Sequence, residues 1–120
     1  MRESNTMEAR AIRRFLRSSP RKMRLLVDLV RGKSVGEALN ILRFHSKGAA
    51  NDAEMVLRSA VANLENKSLE SYDLFKLVVK QAYVDAGPMM KRISPAPQGR
   101  AYRIRKRSHH LTIVVSELAN

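Results

Sequence analysis

The chain has 120 residues, 23 of them Lys or Arg and 11 Asp or Glu, for a net charge of +12 at pH 7, and it contains no cysteine. That length holds one domain with one modest core; the missing thiols exclude disulfides, thiolate metal sites and thiol catalysis; and the basic excess is the footprint of a polyanion's partner, nucleic acid foremost. No run approaches ~18 apolar residues, no helix pattern is basic on one face and aromatic on the other, and the opening residues carry no apolar signal segment, so a cytoplasmic address is expected and a membrane partner is not.

In chain order, Met7, Ala9 and Ala11 alternate with Glu8, Arg10 and Ile12, the period of a short strand with two unequal faces. Ser19 and Pro20 then stand as N-cap and first residue of a helix, and Gly32 as its left-handed stop. Between them Met23, Leu26, Val27 and Val30 make one apolar stripe, with Arg21, Lys22, Arg24 and Arg31 on the remaining face. Ser34-Val35-Gly36-Glu37 is a capping box that opens a second helix, with Val35, Ala38, Leu39 and Leu42 inward and an end near Phe44. Ser46 is placed to cap a third, longer helix reaching about Asn63 or Asn66, with Ala49, Ala53, Val56, Leu57, Ala60, Val61 and Leu64 toward the core. After a polar loop, residues 74–84 and 111–115 are rich in β-branched and aromatic side chains and read as strands.

Between those strands lies "GPMMKRISPAPQGRAYRIRKRSHH", with seven Lys or Arg residues and no carboxylate. Its turn formers cluster at Pro95-Ala96-Pro97-Gln98-Gly99, midway between the flanking strands, so the segment is expected to be one hairpin. Each arm would hold about eleven residues and reach roughly 35 Å at ~3.3 Å per residue. Ile93, Tyr102 and Ile104 are its few large non-methionine apolar groups, and an isolated two-stranded ribbon is marginal in water, so an external partner must hold it. The expected organisation is one domain, a globular body over about 6–84 and 111–117 with an extended basic hairpin over about 85–110.

Two basic clusters are the candidate nucleic-acid-binding surfaces. Lys91, Arg92, Arg100, Arg103, Arg105, Lys106 and Arg107 lie on the hairpin, and Arg10, Arg13, Arg14, Arg17, Arg21, Lys22 and Arg24 form a second run with no carboxylate before Asp28. Any one of these arginines has an ordinary reading as a solvated surface charge; the clustering points to phosphate. Tyr102 either stacks on a base or packs along the ribbon. Gly32-Lys33-Ser34 imitates the end of a phosphate-binding loop, but Val27 stands where that loop needs glycine. His109 and His110 are adjacent on a strand and point to opposite faces, which does not suit a shared metal ion. No nucleophile elbow is present, and the carboxylates Glu37, Asp52 and Glu54 fit helix N-termini, so no enzyme, metal or cofactor is expected. The competing reading is a helix-turn-helix DNA-binding protein built on the two helices that meet across Gly32-Lys33.

"SSPRKMRLLVDLVRGKSVGEALNIL", "VDAGPMMKRISP" and "GRAYRIRKRSHHLTIVV" occur in the order characteristic of one family, and over about residues 8–116 the chain resembles the universal large-subunit ribosomal protein twenty-two family. The resemblance implies an α+β fold in which three helices pack on a small three-stranded antiparallel sheet with a long protruding β-hairpin. It implies a structural, non-enzymatic role in the large ribosomal subunit. Large-subunit ribosomal RNA and neighbouring ribosomal proteins would be partners, with no homo-oligomer. It further implies that the hairpin lines the peptide exit tunnel, where it meets the nascent peptide. Met90, Lys91 and Arg92 would then sit on the arm near the tunnel wall and Ala96, Pro97, Gln98, Gly99 and Arg100 at or near the tip. Many members carry a basic residue on each side of the tip's small residue; this chain has Ala96-Pro97-Gln98 before Gly99-Arg100, leaving Lys91, Arg92 and Arg100 as its closer RNA candidates.

Overall fold

The computed structural model describes residues 7–17, 20–45, 48–87, 90–95, 101–106 and 108–117, with side chains described outside the segment 88–107. In chain order the elements are β1 (Glu8–Leu16), α1 (Pro20–Val30), α2 (Val35–Phe44), α3 (Gly48–Ser68), a 3-10 turn (Leu74–Lys76), β2 (Leu77–Ala86), β3 (Met90–Pro95), β4 (Ala101–Lys106) and β5 (His109–Glu117). β5 lies between β1 and β2 in an antiparallel sheet, and β3 pairs with β4 in a second, two-stranded one. This is the expected α+β arrangement of three helices, a three-stranded sheet and a hairpin.

The helices cover one face of the three-stranded sheet. α3 packs across β1 and β5, α1 against β2, and α2 against α1, α3 and the 3-10 turn. Their buried stripes follow the sequence period: Met23, Val27 and Val30 on α1; Val35, Ala38, Leu39 and Leu42 on α2; Ala53, Val56, Leu57, Ala60, Val61 and Leu64 on α3. At the start of α3, Ala50 rather than Ala49 is the fully buried alanine. From the sheet come Ala11, Leu77, Val79, Ala82, Leu111, Ile113 and Val115. Three buried alanines on α3, at 53, 60 and 50, let the long helix approach the others closely.

Turn chemistry sets the helix ends. Gly32 stands at φ +82° after α1, as expected, and the Glu37 N–H donates to Ser34 Oγ at 3.2 Å to open α2. The proposed caps Ser19 and Ser46 lie outside the described residues. α3 runs beyond the expected asparagines to Ser68, and Leu69, at φ +60°, ends it by donating its N–H to the Glu65 carbonyl. The expected strand from residue 74 begins at Leu77 instead. Asp73 Oδ1 accepts the Phe75 N–H at 3.0 Å and winds Leu74–Lys76 into the 3-10 turn, a local side-chain bond that competes with the ladder. Asp52 and Glu54 are also not first-turn residues of α3; they form ion pairs with arginines instead.

The free edge of β2 is closed by α1 and the turn after it. Gly32 and Lys33 exchange backbone hydrogen bonds with Val79, Arg31 donates Nε and Nη2 to the Ala82 carbonyl at 3.1 and 2.7 Å, and Arg24 donates to the Val84 carbonyl at 3.4 Å. An open row of strand carbonyls is thereby capped by guanidinium groups, which removes a template for edge-to-edge pairing.

Candidate nucleic-acid interface

The basic run over residues 10–24 crosses β1 and enters α1, and the fold sorts its members. Arg13 is paired with Asp52 of α3 at 3.6 Å and touches Met55 Sδ, and Arg24 is engaged on β2. Arg10, Arg14, Arg17 and Arg21 are exposed and have no ion-pair partner among the described residues, and Lys22 is exposed on α1. Four cations spread along β1 and into the start of α1 are thus without a counter-charge among the described residues. Arg31, beyond the basic run, is engaged with Asp28 and the β2 edge.

The backbone of β3 and β4 is in register over six pairs, from Met90 opposite Lys106 to Pro95 opposite Ala101. That register sets Lys91 opposite Arg105, Arg92 opposite Ile104 and Ile93 opposite Arg103. Like charges directly opposite on a ladder destabilise it unless a counter-charge lies between or above them. The tip residues Ala96, Pro97, Gln98, Gly99 and Arg100, and Arg107, lie outside the described residues. So does the side chain of Tyr102, whose backbone pairs with Ser94. Below the ribbon, the Gly87 N–H donates to the Ser108 carbonyl at 2.9 Å, and a Cβ at Gly87 would come within 2.6 Å of Ser108 Oγ and 3.2 Å of its backbone.

The face of the three-stranded sheet away from the helices adds a feature sequence reasoning missed. Between Arg13 and Leu16 the register with β5 shifts, three steps along β1 matching two along β5, so alternation breaks and Phe15 adopts φ +60°. Its N–H donates to His110 Nδ1 at 3.1 Å, and the two rings meet at 90° with centroids 4.9 Å apart. Farther along the same face, Ile12 and Tyr83 flank Thr112, each 40% exposed. The one signal in the sequence was a phenylalanine set among arginines.

The alternatives fare poorly in this geometry. The Gly32 N–H and the Lys33 carbonyl are committed to Val79, so the Gly32-Lys33-Ser34 backbone is not a phosphate cradle. His109 is buried while His110 is half-exposed on the opposite face, and no group of three His, Cys, Asp or Glu side chains among the described residues is placed to hold a metal. In α2, the would-be recognition helix, Val35, Gly36, Ala38, Leu39 and Leu42 are buried and Arg43 is paired with Glu54 at 3.8 Å. Among the described residues no helix is long and apolar enough to cross a membrane.

A family model described as ribosomal protein L22p/L17e matches residues 11–116. Proteins named large ribosomal subunit protein uL22 align along most of the chain. One from Clostridium novyi is 52% identical over 113 residues, covering 94% of this chain and 100% of the relative. One from Desulfitobacterium hafniense is 53% identical over 110 residues, covering 92% and 95%, and one from Flavobacterium johnsoniae is 56% identical over 104 residues, covering 86% and 76%.

Proposed function

The chain belongs to the ribosomal protein L22p/L17e family, and from that premise we propose that it is a structural, non-enzymatic constituent of the large ribosomal subunit in the cytoplasm, binding ribosomal RNA and neighbouring ribosomal proteins. The observation that carries the reading is family similarity along nearly the whole chain, at identities above half. The geometry supports it from the other side. Arg10, Arg14, Arg17 and Arg21, exposed and without an ion-pair partner among the described residues, and a ribbon that sets Lys91 opposite Arg105 both call for an extended polyanion. RNA contacts are assigned to the two basic clusters, with Arg13 and Arg24 contributing less because the fold already uses them.

The chain would act as a single domain with two working parts, the body over about 6–84 and 111–117 and the hairpin over about 85–110. The finer role is that the hairpin lines the peptide exit tunnel, with Met90, Lys91 and Arg92 on the arm near the wall and residues 96–100 toward the tip, within reach of the nascent peptide. The family resemblance and the paired ribbon outside the three-stranded sheet support this. The DNA-binding alternative finds no support, since α2 offers a buried face and a paired arginine.

Sedimentation tests the proposal. Tagged protein should co-migrate with large subunits in a sucrose gradient and remain with them after a wash in moderate salt. Migration as free protein, or recovery with DNA after RNase treatment, would refute it.

A further inference from the structure

We propose that Phe15 is a stacking platform for one unpaired base of the RNA, held in place by His110 and flanked by Arg14 and Arg17. The inference rests on the RNA-binding reading above and gives it a specific site where the body meets the base of the hairpin, beside His110.

Three observations carry it. First, Phe15 sits in the left-handed region at φ +60°, which is uncommon for any residue but glycine or asparagine and unfavourable for a bulky one. Backbone outliers of this kind persist where surrounding structure over-determines them, and they cluster at functional sites. Second, the strain is not spent on burying the ring. Phe15 is 61% exposed, yet its position is fixed by the backbone bond to His110 Nδ1 and the perpendicular ring contact. A ring already fixed loses little freedom when a ligand covers it. Third, its sequence neighbours Arg14 and Arg17 are exposed cations without an ion-pair partner among the described residues. A flat exposed aromatic surface whose sequence neighbours are exposed arginines without an ion-pair partner among the described residues matches a nucleotide, whose base stacks while its phosphates find cations. An apolar protein partner would have to desolvate both arginines without compensating them.

The chain contains no tryptophan, so the F15W variant carries a single indole reporter. Its emission is followed while protein-free large-subunit ribosomal RNA is titrated in, with binding by parent, F15Y, F15L and R14A measured in parallel over a range of salt. The expected result is quenching of the indole on binding, near-parent affinity for F15Y, and a loss of roughly 5- to 100-fold for F15L. Stacking is not counterion release, so F15L should keep the parent's salt dependence while R14A flattens it. Binding of F15W at parent affinity without a change in emission, or F15L binding as tightly as the parent, would overturn the platform and leave the ribosomal reading intact. Failure of the parent itself to bind the RNA would overturn both.

Discussion

Arg14 and Arg17 are exposed and unpaired among the described residues, whereas Arg13 faces Asp52 and Arg24 holds the Val84 carbonyl. Alanine at 14 or 17 is therefore expected to lower the magnitude of the log K against log salt slope for RNA by ~0.7–0.9 each. Alanine at 13 or 24 should move it less. Replacing Arg24 by Met should instead cost about 0.5–1.5 kcal/mol in chemical denaturation, the worth of one hydrogen bond. Arg31→Met removes two N–H donors from Ala82 and should cost somewhat more by the same measurement. At Gly87 an added Cβ would meet Ser108 Oγ at 2.6 Å and the Ser108 backbone at 3.2 Å, so Gly87→Ala requires that hydroxyl to rotate and the backbone to give slightly, and should destabilise the junction below the ribbon by about 1 kcal/mol. Hydrogen exchange at the residue-87 amide, which donates to the Ser108 carbonyl, would report it when parent and variant are compared. The sequence displayed the basic runs but not this division of labour, because Arg13 is on β1 and its partner Asp52 on α3, and Val84 lies 60 residues beyond Arg24. Pairings of that kind come from tertiary contact, which no local period encodes.

Elements were legible where periodicity and turn chemistry agreed. The stripes on α1, α2 and α3, the Gly32 stop and the Ser34 cap all follow from side-chain spacing and from residues whose chemistry suits one conformation. Elements were misjudged where an unexpected residue performed the turn: Leu69 ends α3 in a conformation usually left to glycine, Asp73 delays β2 by three residues, and Phe15 breaks the alternation of β1. The hairpin could be read because its prolines and glycine fall midway between two apolar strands, and β3 and β4 pair about that centre. Deleting Met90, Lys91 and Arg92 takes three residues from one arm and none from the other. It shortens that arm by ~10 Å and, as an odd number, reverses the pleat of everything between the deletion and the tip. The body and its arginines are untouched, so the variant should still enter large subunits while a cryo-EM map shows the tip displaced. Exclusion from subunits, or a tip superimposable on the parent's, would contradict the register argument. In the free protein, amides of β3 and β4 should exchange faster than those of α3, since the ribbon pairs outside the three-stranded sheet and α3 is bound into the core.

At the scale of the molecule, a charge of +12 is spread over 120 residues whose carboxylates are partly spent inside the fold. Asp52, Glu54, Asp28 and Glu8 each pair with an arginine or lysine, so they neutralise some cations on the body and leave Arg10, Arg14, Arg17 and Arg21 without an ion-pair partner among the described residues. The consequence is a small core that carries basic surface at two places, the β1–α1 region and the ribbon. A polyanion large enough to meet both is the natural counterpart, and family membership supplies one in the ribosome. If several phosphates are neutralised together, binding releases several counterions at once. The direct measurement is the affinity of the parent for protein-free large-subunit ribosomal RNA across a series of monovalent salt concentrations. The account predicts that log K falls steeply and linearly with log salt, at ~0.7–0.9 per neutralised phosphate, and that reversing Arg103 and Arg105 to Glu both weakens binding and flattens the line. A slope near zero, or one unchanged by the reversal, would contradict it.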